Sequence, residues 1–250
     1  MYTFGSGVMF GTSTVANPTP AEFGALQDVS VDISFSNKQL YSQYQIPIMV
    51  ARGQAKIAGK AKLANLNANL INSLFLNATQ AAGQRLVAYK EAHLIPTTPY
   101  QVTVTNSATF VADLGVYYTS GVNAGSALLE VASAPATGQY AFAAGIYTFA
   151  AADTGLNVVI SYTYTLATGG NTLSWTNPLM GLAPVFSAQF QQQVTQPSGV
   201  AKTFTWMFYA CTSNKMTFAS ALEGYMIPEF DFDIFANNIG QIGVLSVVDF

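Results

Sequence analysis

The alternation of side chains between Asp28 and Leu63 constrains this chain more than any other feature. From Asp28 to Phe35 the odd positions Val29, Val31, Ile33 and Phe35 are apolar, and the even positions Asp28, Ser30, Asp32 and Ser34 are polar. Period two marks a strand with one dry and one wet face. From about Ile46 to Leu63 the pattern returns. Gly53, Ala55, Ile57, Gly59, Ala61 and Leu63 share one face, while Arg52, Gln54, Lys56, Lys60 and Lys62 share the other. Antiparallel pairing would set the acids of the first strand beside the bases of the second. Lys38 to Gln45 is expected to join the two strands, with Leu40, Tyr41 and Tyr44 packing inward.

Four of the nine basic residues thus fall on one strand face, in a chain of 250 residues that is only 8% charged. Soluble domains are about 25% charged, and an isolated monomer is expected to carry a mixed-charge surface. Between Thr154 and Ala201 there is no charge at all. A membrane protein, a secreted protein and a subunit covered by its neighbours would each explain the deficit. The uncharged stretches are broken by Gly, Pro, Asn, Gln and Thr, so none offers the run of about 20 apolar residues that a spanning helix needs. Residues 1–20 carry neither a basic region nor an apolar segment. That pattern predicts no signal peptide and disfavours an outer-membrane barrel. A single cysteine, Cys211, excludes a disulfide scaffold. A net charge of −3 lacks the basic footprint of a tight nucleic-acid binder. The covered subunit remains.

Most of the chain reads as strands separated by Gly, Pro and Asn. Asn157–Leu166, Thr203–Cys211 and Phe230–Ile234 alternate clearly, with the last taken as the final strand. Asp113-Leu114-Gly115 reads as a turn, Gly169-Gly170-Asn171 as a hairpin turn, and the echo Tyr140–Gly145 and Tyr147–Ala152 as the two sides of a hairpin. One helix is expected over about 64–82, from the spacing of Leu66, Leu70, Ile71, Leu74 and Phe75, with Gly83 ending it. The class is all-β: a β-sandwich or barrel-like core with one flanking helix and long inter-strand loops or hairpins.

Chemistry is sparse. The one histidine, His93, sits in a strand-like run without a nucleophile motif, and one His with one Cys cannot build a zinc site. Asp231 and Asp233 share a strand face, which suits a solvated acidic face better than a glycosidase pair. No enzyme activity, cofactor or metal is expected.

Two stretches carry a resemblance. Lys38-Gln39-Leu40-Tyr41-Ser42-Gln43-Tyr44-Gln45-Ile46-Pro47-Ile48, with Ala51 to Ala61, is one; Ile227-Pro228-Glu229-Phe230-Asp231-Phe232-Asp233-Ile234-Phe235-Ala236 is the other. Both resemble structural proteins of tailed bacteriophages, and the organisation resembles the major tail tube protein family. The resemblance implies a single tail-tube-like domain over 1–250, with 97–177 either an elaborated hairpin region or an added outward-facing subdomain. It implies a virion protein, assembled in the host cytoplasm, that forms stacked homohexameric rings through which phage DNA is ejected. Its partners would be copies of itself, other tail proteins at the tube ends, and passing DNA in transient non-specific contact, with no membrane insertion. Alternatives are a capsid decoration or minor tail protein, or a carbohydrate-binding β-sandwich. On the tube reading, the candidates for the lumen or a subunit seam are Arg52, Lys56, Lys60, Lys62, Asp28, Asp32, Asp231 and Asp233. DNA would adhere to an uncompensated basic row, so the acids are expected to neutralise it. An ordinary solvated face is the competing reading.

Overall fold

A computed structural model of the chain describes residues 7–14, 18–65, 67–195, 201–220 and 222–248. In chain order the strands are β1 (Val8–Ser13), β2 (Ala21–Glu22), β3 (Leu26–Leu40), β4 (Met49–Leu63) and β5 (Thr79–Leu94). They continue with β6 (Gln101–Thr103), β7 (Phe110–Tyr118), β8 (Leu129–Glu130), β9 (Gln139–Ala143) and β10 (Ile146–Phe149). The last five are β11 (Asn157–Ser174), β12 (Val185–Thr195), β13 (Ala201–Thr217), β14 (Glu229–Ile234) and β15 (Gly243–Val247). The described residues are all-β, with one short α/π segment and two single 3-10 turns (Ser107–Thr109 and Ala151–Asp153), and the chain divides into two compact units, residues 1–79 with 173–250, and residues 80–172. The second unit starts well before residue 97.

The first unit is built on one eight-stranded sheet in the order β2-β1-β12-β13-β14-β4-β3, with β15 also on β13. β13 organises it. One edge of β13 pairs with β12 along most of its length, and the other is shared between β14, at Cys211–Thr217, and β15, at Phe204–Phe208. Phe230, Phe232 and Ile234 of β14 alternate toward the core, where Phe230 and Phe232 meet Phe186 and Phe230 meets Phe23 edge-on. Burying such side chains contributes about 1.5–3 kcal/mol each. Gly59 of β4 lies under the Phe232 ring, and a Cβ there would overlap it.

The helical segment runs only from Ala68 to Leu76, as one α-turn (Ala68–Ile71) followed by a π-turn (Asn72–Leu76). The expected span of 64–82 is therefore too long, and asparagine is the reason. Asn67 caps the start by accepting from the Asn69 N–H. Asn77 takes the left-handed conformation, φ 46°, and stops the segment. The Asn72 side chain accepts from the Ala78 N–H at 2.6 Å, helping the chain turn into β5. Leu70 and Leu74 fill the core, and Ser213 donates to the carbonyl of Leu74 at 2.9 Å. Gly83 ends nothing: it lies inside β5 at φ +102°, where a Cβ would press on the Leu166 carbonyl.

The second unit has two sheets, β5-β11-β7 and β6-β10-β9-β8, that share one core. Val116, Val158, Ile160 and Tyr162 come from the first sheet and Val102, Tyr140, Tyr147 and Phe149 from the second. β9 and β10 form the hairpin expected from the Tyr140 and Tyr147 echo. Two carboxylates serve this core. Asp113 accepts from the hydroxyls of Tyr140, at 2.5 Å, and Tyr147, at 2.6 Å. Glu91 accepts from Tyr162 at 2.5 Å, from the backbone and hydroxyl of Thr105 at 2.9 and 2.8 Å, and pairs with His93 at 2.8 Å.

Candidate functional site

The lysines and acids singled out by the sequence lie on the face of the large sheet opposite its core. Register puts them there. Lys62 stands between Asp28 of β3 and Glu229 of β14, and Lys60 between Ser30 and Asp231. Lys56 faces Ser34, and Ala58 separates Asp32 from Asp233. On the far side of β14, Lys215 of β13 stands across from Asp231. Four adjacent strands therefore carry acid, base, acid and base in turn.

The close contacts are partly diagonal to the register. Lys60 Nζ reaches Glu229 at 2.5 Å, Lys62 reaches Asp28 at 3.9 Å and Glu229 at 4.0 Å, and Lys56 reaches Asp233 at 3.8 Å. Asn214 donates to the other oxygen of Asp233 at 2.9 Å. The hydrogen bond from Lys60, aided by the charges of Lys60 and Lys62, holds the Glu229 carboxyl below its usual range; the same bond with Glu229 raises Lys60. The lysine side chains are 42–71% exposed, so solvent screens these pairs and each contributes little to stability. Their larger effect is on register, since a slip by one residue would drive every charge into the core face.

Arg52 is not part of this row. Between Phe35/Ala55 and Asn37/Arg52 the pairing of β3 and β4 shifts, with two residues of β4, Gln54 and Gly53, opposite the single Ser36. That bulge inverts the alternation beyond it. Arg52 is thereby carried to the Phe35 face, where its guanidinium covers the Phe35 ring. Leu40, Tyr41 and Tyr44 do not pack inward either. β14 pairs with β4 only from Ile57 to Lys62, so beyond that point β3 and β4 continue as a two-stranded ribbon. Its end is exposed, with Tyr44 at 69% and Ile46 at 77% of full exposure.

Glu229 and Lys215 also belong to the charged face, beyond the residues that the sequence pattern singles out. The signal for Glu229 was in the sequence, two positions before Asp231 on an alternating strand. Lys215 had none, because β13 shifts register between Ser213 and Lys215.

The face has little chemistry beyond charge pairing. Burial pushes the Cys211 thiol up to about 12, so it stays protonated and unreactive. Among the described residues no group of three or more His, Cys, Asp or Glu side chains is placed to hold a metal ion, and no helix is long and apolar enough to cross a membrane. No known family profile matches the chain, and no curated protein matches it.

Proposed function

We propose that this chain is a structural subunit that assembles with copies of itself into stacked rings, in the manner of a phage major tail tube protein. The observation that carries the reading is the β3–β4 ribbon. A lone two-stranded ribbon is at best marginally stable in water, and this one ends in exposed Leu40, Tyr41, Tyr44, Ile46, Ile48, Met49 and Val50. Such a patch is expected at a surface meant to be covered. A chain with 8% charged residues fits the same reading. On this reading the compensated face of Lys56, Lys60, Lys62, Asp28, Glu229, Asp231 and Asp233 would suit a bore or seam, since each lysine lies within 4.0 Å of a carboxylate and offers little to a phosphate backbone.

Negative-stain microscopy and sedimentation of concentrated protein test it. Rings or tubes are the expected result, and a strict monomer at every concentration overturns the reading. The paired substitution Ile46→Asp and Ile48→Asp should abolish assembly and leave the circular dichroism spectrum unchanged. Normal assembly of that variant would remove the ribbon from the interface.

A further inference from the structure

The second unit carries a hollow of about 610 Å³ against its three-stranded sheet, where it reaches the core residue Tyr118. Its walls include Val87 and Tyr89 of β5, Leu114 and Tyr117 of β7, and Val159 of β11, with Ser161 of β11 and Lys90 of β5 as polar members. Three departures from regular structure meet there. β7 bulges at Leu114–Gly115, directly opposite Ser161, where the β7–β11 register shifts. On the other side of Ser161, Lys90 has a left-handed backbone, φ 54°, which a lysine adopts only at a cost. The Ser161 side chain replaces a regular ladder contact by accepting from the Lys90 N–H at 3.1 Å. The kink reverses the alternation of β5: Ala88 packs on the core before it, and Glu91 bonds to the core residue Tyr162 after it. Bulges of this kind re-aim side chains and cluster beside binding sites.

The result is an ammonium set beside an aromatic platform. Lys90 Nζ lies 5.1 Å from the centroid of the Tyr89 ring, and Tyr89 is 74% exposed. Residues 80–172 hold two basic side chains, Arg85 and Lys90. Their carboxylates are largely engaged elsewhere: Glu91 and Asp113 by tyrosine hydroxyls, Asp153 by the Gly138 N–H. Among the described residues Lys90 forms no ion pair.

We propose that this hollow binds an acidic saccharide, its ring stacked on Tyr89 and Tyr117 and its carboxylate paired with Lys90. Sugar rings are amphiphilic and match this mixture. Their C–H faces suit tyrosine and the aliphatic wall of Val87, Leu114 and Val159, and their hydroxyls suit Ser161 and Thr119, which also lines the hollow. A wholly apolar ligand would bury an ammonium without a partner, which is costly. A nucleic-acid backbone needs many cationic contacts, and the unit has two bases. The site stands independently of ring assembly.

Titration of the full chain with tetragalacturonate, its methyl-esterified counterpart and inorganic sulfate, followed by calorimetry, tests the proposal. The uronate should bind, and the ester should bind about tenfold more weakly or worse. Lys90→Asn removes the charge while keeping a residue that tolerates φ > 0. It and Tyr89→Leu should each weaken uronate binding by about tenfold with little change in melting temperature. No binding at millimolar uronate overturns the proposal, as does equal affinity for the ester, or indifference to both substitutions. Sulfate binding as tightly as the uronate would reduce the site to an anion hook and also overturn it.

Discussion

The guanidinium of Arg52 lies 4.0 Å from the centroid of the Phe35 ring, on the face of the β3–β4 ribbon that the sequence pattern reserves for apolar side chains. The bulge at Gln54–Gly53 brings them together. Exposed contacts of this type contribute about 0.5–1 kcal/mol. A double-mutant cycle with Arg52→Gln and Phe35→Leu should return a coupling of about that size in urea unfolding. A coupling of zero would show that the bulge leaves Arg52 free in solution.

The Lys60–Glu229 pair sets a pH window. Glu229 is held below its ordinary value of 4.5, so its stabilisation is present above that pH and is lost as pH falls through the lowered value. Lys60 is raised above 10.5, so its share is present below that pH and is lost as pH rises through the raised value. Glu229→Gln should flatten the acid limb of the stability profile measured by denaturant titration, and added salt should shrink the difference between the two proteins. An unchanged acid limb would show that the pair is not formed in solution.

Glu91 is a second acid-sensitive group. Partial burial raises it, but donors from Tyr162, Thr105 and His93 outweigh burial and leave it below 4.5. Its contribution is therefore present above that pH and disappears as the solution is acidified further. Tyr162→Phe deletes the 2.5 Å donor and should cost the second unit about 1–2 kcal/mol at neutral pH, less on acidification. The Tyr162 hydroxyl also accepts from the backbone and side-chain amides of Asn106, at 3.2 and 3.1 Å. Thermal melts at pH 7 and pH 3 check the prediction, and an equal loss at both pH values would assign the effect to those pH-independent bonds and not to Glu91.

Gly59 and Phe232 fit as a pair. Gly59→Ala should destabilise the first unit by about 1–3 kcal/mol, because the new methyl meets a ring fixed between Phe186 and Phe230. Adding Phe232→Leu to Gly59→Ala should recover part of that loss, even though Phe232→Leu alone is destabilising. Simple additivity in urea unfolding would show that Gly59 is not shielded by the ring.

The all-β class, the Asp28–Leu63 hairpin and the pairs Lys62–Asp28 and Lys56–Asp233 are legible because each rests on strict alternation, whereas the ion pairs among the described residues do not include Asp32 or Asp231, and Lys60 pairs with Glu229 instead. What alternation hides is the bulge. Alternation places Arg52 on the lysine face, but Gln54 and Gly53 share one partner, and nothing in Arg-Gly-Gln announces that. Asp113-Leu114-Gly115 reads as a turn and is instead a bulge within β7. Gly169 and Gly170 read as a hairpin and instead lie inside β11, where a Cβ on Gly170 would overlap the Gln84 side chain. The strand after Phe230–Ile234 has no clear alternation to announce it: β15 is short and joins the sheet by pairing with β13. The leucine spacing predicts a longer helix than forms, because asparagine ends the segment at Asn77. The hollow around Lys90 had no sequence signature, since it arises where two strands break register beside the same serine.

The order of β4, the second unit and β14 along the chain has a consequence for biosynthesis. β4 cannot meet β14 until residues 80–172 have left the ribosome. Those residues form a compact unit of their own whose first and last strands, β5 and β11, are neighbours, with Thr172 donating to the Gly83 carbonyl at 2.9 Å. Once folded, the unit delivers its two ends side by side. The span between Lys60 and Glu229 is then roughly halved, which lowers the entropic cost of closing the sheet by about 0.6 kcal/mol. A nascent chain can thus settle residues 80–172 first and shorten the loop that β4 and β14 must later close.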